Sequence, residues 1–317
     1  REPSTGGAAV GAATAADPSG EAPCLLRQFS APIRGGIVAA IVKILVTGAH
    51  GFLGRSVLRQ DVAEVELVAC GRRGEPPPET LAYRRVNLLD TAAVRRLLAL
   101  ERPDWIIHTA ALTDVDLCET ERHLARRVNL EMVGNLADGC DEIDAGLAHL
   151  STDYVFDGRT GPYAEEDPTN PLSYYGQVKL ESEARVLESG KRGLVLRTLW
   201  LFGYVPETRR NLVTWPLEAL VKGEELAIVH DQWGNPAFVG DVALSLVELC
   251  LRGSTGLFHV GGADFMTRHE LVQELARFFG LDAGRVRAVP SEHVGQKAKR
   301  PLRSGLRWEH LAAKLGR

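Results

Sequence analysis

Cysteine is scarce in this chain and follows no pattern. Five occur in 317 residues (Cys24, Cys70, Cys118, Cys140 and Cys250), an odd number with no Cys-x-x-Cys spacing. That argues against a disulfide framework and for reduced thiols in a cytoplasmic protein. The nine histidines show no ligand spacing with one another or with the cysteines, so no metal site is expected. No uninterrupted apolar run approaches the roughly 18 residues of a membrane span. The apolar stretch at 35–49 is broken by Lys43 and reads as a buried strand with its lead-in. An excess of one charge sign is also missing. A net charge of −4, with the basic pairs Arg72-Arg73, Arg95-Arg96 and Arg126-Arg127 interleaved with acids, offers no dedicated nucleic-acid surface. Residues 1–41 are rich in Ala, Gly and Pro without helical or strand period and are expected to be a disordered N-terminal extension. Glu2, Asp17 and Glu21, with no clear apolar core, argue against a targeting peptide there.

What the chain does have is alternation. Short apolar runs at 44–47, 65–70, 83–86, 105–109, 147–151 and 194–199 read as strands. Helical patterns lie between them, including a long amphipathic one at 119–140 that places Leu124, Val128, Met132 and Leu136 on one side. Strands alternating with helices at this period predict an α/β fold, a Rossmann-type doubly wound parallel sheet with its ligand at the carboxyl ends of the strands. After residue 203 the texture changes to short helices (212–221, 242–251, 269–279) and short strands (226–229, 257–260, 286–289). This predicts a dinucleotide-binding domain over 42–203, with 204–317 forming mainly a smaller α/β substrate lobe.

Gly48-Ala-His50-Gly51-Phe52-Leu53-Gly54 follows the strand Ile-Leu-Val-Thr and opens a helix, the context that a dinucleotide fingerprint requires. Its glycines permit a tight turn, close approach of backbone to a pyrophosphate, and close helix–strand packing. The second strand ends in Gly71-Arg72-Arg73, where an acid would bind the ribose of NAD. Guanidinium groups suit a 2′-phosphate, which favours NADP(H); as solvated loop residues they would leave NAD(H) open as well. Asn87 and Leu88, after the third strand, stand where such folds meet adenine.

Thr152 ends the fifth strand, and Tyr175-Gly-Gln-Val-Lys179 opens the next helix. A tyrosine and a lysine four residues apart share a helix face, so the ammonium is expected to lower the phenol's pKa. A proton donor beside a hydride donor is what a carbonyl reductase needs. Tyr174 lacks such a partner, because Val178 stands four residues on.

Five stretches then carry a resemblance: His108-Thr-Ala-Ala-Leu-Thr-Asp-Val-Asp-Leu-Cys-Glu119, Leu150-Ser-Thr-Asp-Tyr-Val-Phe-Asp-Gly158, Pro171-Leu-Ser-Tyr-Tyr-Gly-Gln-Val-Lys-Leu-Glu181, Asp231-Gln-Trp-Gly-Asn-Pro236 and Arg300-Pro-Leu-Arg-Ser304. With the glycine loop they resemble the extended short-chain dehydrogenase/reductases, and among these the dTDP-4-dehydrorhamnose reductase family. The resemblance implies NADP(H)-dependent reduction of a nucleotide-linked 4-keto-6-deoxy sugar, with Tyr175 as proton donor, Thr152 binding the reacting oxygen, and Lys179 holding the nicotinamide ribose. It implies Ala110, Ala111 and Thr113 along the nicotinamide, and Asn129 supporting the catalytic region. It places Val115, Tyr154, Trp200 and Arg303 at the sugar nucleotide. A homodimer is the superfamily's usual assembly. Two alternatives stand beside this. One is a nucleotide-sugar epimerase or dehydratase, although Asp153 is followed by Tyr154 where dehydratases carry a second acid. The other is a non-catalytic NADP-binding regulatory subunit resembling that of methionine adenosyltransferase.

Overall fold

The computed structural model describes residues 40–317 except 81 and 189–191; the extension expected at 1–41 lies, apart from its last two residues, outside them. The apolar run after residue 41 forms β1 (Val42–Thr47), and the glycine loop leads into α1 (Phe52–Leu58). Then follow β2 (Val65–Gly71), β3 (Tyr83–Arg85), α2 (Thr91–Glu101) and β4 (Trp105–His108). The next segment comprises α3 (Val115–Thr120), α4 (Arg122–Arg126), a π-helical turn (Arg127–Glu131) and α5 (Met132–Ile143). β5 (Gly146–Thr152), α6 (Tyr174–Glu188) and β6 (Gly193–Thr198) complete this half. Beyond it lie α7 (Thr214–Val221), β7 (Leu226–Val229), β8 (Trp233–Gly234), α8 (Val239–Leu251) and β9 (Gly256–Val260). The chain closes with β10 (Met266–Thr267), α9 (Arg268–Phe278), β11 (Val286–Val289) and α10 (Glu309–Leu315).

Among these residues, seven strands form one parallel sheet in the order β3-β2-β1-β4-β5-β6-β9. Strand order reverses between β1 and β4, which opens the crevice where such sheets bind ligands. Side chains alternate across the pleat. Ile44, Val46, Ala148, Leu194 and Leu196 pack on the α1 and α8 side, whereas Leu45, Ile106, Leu147 and Val195 pack on the α2 and α5 side. Both faces are therefore buried, and the strands read as continuous apolar runs.

The division read at residue 203 is not a division of the sheet. β9 pairs with β6 from Leu194↔Gly256 to Thr198↔Val260, and α8 supplies Val242, Leu246 and Leu249 to the same core as β1. The smaller lobe is built from α7, α9 and the parallel pair β7–β11, around Leu220, Leu226, Ile228, Val272 and Val286. The long helix expected at 119–140 is also interrupted. Glu121 leaves helical geometry (φ −111°, ψ 57°) and a π turn follows, so Leu124 turns outward while Met132 and Leu136 are buried.

Candidate functional site

The glycine turn lies at the carboxyl end of β1, beside the end of β4. Gly48 adopts φ +68°, and a Cβ there would stand 2.6 Å from the Ala110 nitrogen. A Cβ on Gly54 would stand 2.4 Å from the Gly48 carbonyl oxygen. Phe52 and Leu53 begin α1, whose first-turn N–H groups have no partner within the helix. Backbone alone can line this turn, which is the cradle a pyrophosphate requires. Ala110 abuts the turn, with Ala111 and Thr113 exposed on the loop that follows.

His50 does not point at the turn's backbone. Its Nε2 meets the Glu75 carbonyl at 2.9 Å, and its ring packs edge-on to Tyr83. It thereby fastens the 72–79 loop over a cleft of about 300 Å³ that Arg55 and Arg73 also line. Arg55 is held by Glu79 (2.8 Å) and the Pro206 carbonyl. Arg72 and Arg73 are exposed and form no ion pair among the described residues, so both remain available to an anion. Asn87 is exposed and its Oδ1 accepts from the Leu89 N–H. Leu88 faces the other way, with its side chain in the α2–α5 core and its carbonyl accepting from Asn135, so it offers no side chain to a nucleotide.

Thr152 ends β5 and caps the 3₁₀ turn Asp153–Val155: its Oγ1 accepts from the Tyr154 N–H (3.2 Å) and donates to Asp153 (3.1 Å). Gly176 lets α6 dock on that turn, since a Cβ there would stand 2.2 Å from the Tyr154 carbonyl oxygen. The docking brings Tyr175 into a cluster with Cys118, Ala125, Val115 and Tyr154, with the Tyr154 and Tyr175 rings edge to face at 5.8 Å. Asn129 sits in the π turn and holds the same region, accepting from the Leu112 N–H (2.8 Å) and donating to the Leu112 carbonyl (3.0 Å). Single-turn π insertions recur at functional sites.

The electrostatics depart from the expectation for Tyr175. Burial pushes its phenol pKa up, followed by the nearby Cys118, Asp153 and Tyr154; the Thr152 hydroxyl pulls it partly back. Lys179 is turned to other partners. Its Nζ donates to the Leu150 carbonyl (2.5 Å) and faces His149 Nε2 (2.9 Å), and burial lowers its own pKa to about 7, against the pull of Glu183. Tyr175 is therefore a fully protonated acid at neutral pH.

Several site residues escaped the sequence reading. Burial raises the Asp153 carboxyl to about 6, the Ser304 and Thr152 hydroxyls opposing it. Arg268 stacks on Trp200 at 4.5 Å and, with Arg300, bears on the Tyr154 hydroxyl. Arg300 is fixed by a two-point pair to Asp116 (2.8 and 3.0 Å). Trp200 holds a left-handed backbone (φ +38°) just past β6, and strain of this kind clusters at ligand sites. Arg303, expected at the substrate, lies exposed over the Trp233 and Phe265 rings. The signal for Arg300 and Asp153 was their place in the Arg-Pro and Ser-Thr-Asp-Tyr motifs; for Arg268 there was none.

A glycine turn at the switch point of a parallel sheet, beside a buried Thr/Tyr/Lys set, defines a dinucleotide-binding protein of the short-chain dehydrogenase/reductase type. The chain belongs to the RmlD substrate binding domain family, which matches residues 42–317. Over 271 residues it is 37% identical to a probable dTDP-4,6-dihydroxy-2-methyloxan-3-one 4-ketoreductase of Streptomyces antibioticus, spanning 83% of this chain and 87% of the relative. It is 35% identical over 271 residues to methionine adenosyltransferase 2 subunit beta of Bos taurus, spanning 83% and 80%. A dTDP-4-dehydrorhamnose reductase of Bacillus anthracis, solved in complex with NADP, has TM-score 0.76 and 26% identity, covering 86% of this chain and 93% of that one.

Proposed function

We propose that the protein is an NADP(H)-dependent reductase of a nucleotide-linked 4-keto-6-deoxy sugar. The observation that carries this is the buried pair of hydroxyls, Thr152 and Tyr175, at the carboxyl end of β5, with the phenol kept protonated by burial. The glycine turn and the unpaired Arg72 and Arg73 fit NADP in their chemistry: a cradle of bare backbone for a pyrophosphate and free guanidinium groups for a 2′-phosphate. When bound, NADPH supplies the hydride that reduces the C4 ketone to an alcohol. Thr152 binds the ketone oxygen, and Tyr175 gives it a proton as charge develops there. Lys179 has one Nζ donor beyond those directed at Leu150 and His149, which is available to the nicotinamide ribose. Val115, Tyr154 and Trp200 shape the sugar side, and Arg268 and Arg300 favour the diphosphate.

The 35% identity to methionine adenosyltransferase 2 subunit beta favours a second reading, an NADP-binding regulatory subunit. One experiment separates them: NADPH oxidation with dTDP-4-keto-6-deoxy sugar generated in situ, comparing the natural chain with Tyr175→Phe. The reductase reading expects turnover that falls on the order of 10²- to 10⁴-fold in the variant. Tight NADPH binding with no turnover by either protein would favour the subunit reading.

A further inference from the structure

A row of buried polar side chains crosses the sheet beneath the site. Thr47, His108 and His149 stand at equivalent register on β1, β4 and β5. Thr47 Oγ1 is 2.7 Å from His108 Nδ1, and the His108 and His149 rings stack with centroids 5.5 Å apart. On α6, Ser182 Oγ lies 2.9 Å from His149 Nε2 and donates 2.6 Å to the Lys179 carbonyl. Lys179 Nζ lies 2.9 Å from the same His149 nitrogen. Neither His149 Nδ1 nor His108 Nε2 has a hydrogen-bond partner among the described residues.

From this geometry we propose that His149 is a positioning residue for Lys179: its Nε2 accepts one ammonium proton, the Leu150 carbonyl accepts a second, and the third is thereby aimed at the bound cofactor. The inference rests on the reductase reading for its catalytic consequence, though not for its effect on cofactor affinity. An ammonium has three donors and no acceptor, so His149 must carry its own proton on Nδ1 to receive one at Nε2. The other tautomer would donate to Ser182 Oγ and release the lysine. The imidazolium is disfavoured, because its second ring proton, on Nε2, would face the ammonium. Burial and the Lys179 charge push the His149 pKa well below its usual value, in keeping with a neutral acceptor. The charged and titratable groups that bear on the pair are Lys179 and His108, acting on His149, and Glu183, acting on Lys179. Glu183 is engaged by Arg197 in a two-point pair (2.9 and 2.6 Å). The contacts at Lys179 Nζ are thus to neutral acceptors, and its charge is fixed in direction without being cancelled.

The test compares His149→Leu, His149→Gln and His149→Asn. A glutamine amide oxygen reaches the place of Nε2; an asparagine oxygen falls near Nδ1. NADPH affinity is titrated against pH by nucleotide fluorescence, without any sugar, and kcat is measured separately against pH. Affinity and kcat are expected to decline as pH rises through the titration of Lys179. In His149→Leu the decline should begin about one pH unit lower, with affinity down on the order of tenfold and kcat down on the order of tenfold to a hundredfold at pH 7. Glutamine should restore the position of the decline and asparagine should not. A decline that stays in place in His149→Leu, or equal behaviour of the glutamine and asparagine variants, overturns the inference. If the leucine variant fails to fold, the comparison of glutamine with asparagine decides alone. Affinity profiles that move as expected, in a protein whose natural form reduces no keto-sugar, would refute the reductase reading and leave the inference standing.

Discussion

Arg197 on β6 and Glu183 on α6 form an ion pair with side chains 4% and 3% exposed, joined by two hydrogen bonds and flanked by His259 Nε2 at 3.2 Å. Glu183→Gln keeps the shape and removes the charge, leaving a guanidinium in the interior without its counterion. Breaking a buried pair by removing one partner costs about 3–5 kcal/mol, most of it the uncompensated charge. For a domain of this size, roughly 2 °C of melting temperature accompanies each kcal/mol, so a drop of roughly 6–10 °C is expected. Glu183→Leu combined with Arg197→Met removes both charges and should recover most of that loss. The unrecovered part is the unpaired His259 nitrogen, about 1–3 kcal/mol. Urea unfolding of Glu183→Leu, Arg197→Met and the double variant closes a mutant cycle and isolates the coupling. Single variants within about 1 kcal/mol of the natural protein, or a double variant no better than the worse single one, would refute the reasoning.

Gly54→Ala places a methyl 2.4 Å from the Gly48 carbonyl oxygen and 2.9 Å from its carbon, and backbone must move; a loss of about 1–3 kcal/mol is expected. NADPH affinity, read by fluorescence, should fall at least about tenfold as the cradle deforms. Asp153 has a folded pKa of about 6 against 3.8, so the unfolded chain releases this proton first as pH rises. The stability present below pH 4 is lost through pH 6, up to about 3 kcal/mol. Asp153→Asn should flatten that decline, as urea midpoints at pH 4 and 7 would show; an unchanged decline refutes the assignment.

Much of the sheet was legible because burial on both faces writes each strand as a continuous apolar run, and Gly48, Gly51 and Gly54 mark the turn. The partner of a strand is not written there. The run at 257–260 reads equally well in a small lobe or as the seventh strand of the main sheet, and only β6 decides between them. The break at Glu121 was hidden because the apolar spacing continues through it, and the contact of Asn129 with the Leu112 backbone in the π turn that follows leaves no mark in that spacing. Thr152, Tyr175 and Lys179 were legible by type and spacing. The direction of the Tyr175 pKa was not, because i,i+4 spacing says that two side chains share a face and not which acceptor each one finds. Leu88 was assigned to the nucleotide by position in the chain, whereas its burial against α5 is a fact of packing. His149 resembled any interior strand residue until α6 placed Lys179 and Ser182 against it.

Helix α6 carries two ionised groups one turn apart, Lys179 and Glu183, in the spacing at which opposite charges pair. They would satisfy each other were Arg197 absent. Glu183 would then hold the lysine charged and draw its ammonium along the helix, away from Leu150 and His149. Arg197 prevents this by taking both carboxylate oxygens, and His259, whose Nδ1 lies 3.1 Å from the Tyr163 carbonyl, steadies Arg197 in turn. The buried pair therefore does more than hold β6 to α6. It frees Lys179 for neutral acceptors, so that burial can lower its pKa to about 7. On this argument Arg197→Met should raise the pH at which activity declines, the opposite of the shift expected for His149→Leu, although both substitutions lie in the interior and both weaken the fold.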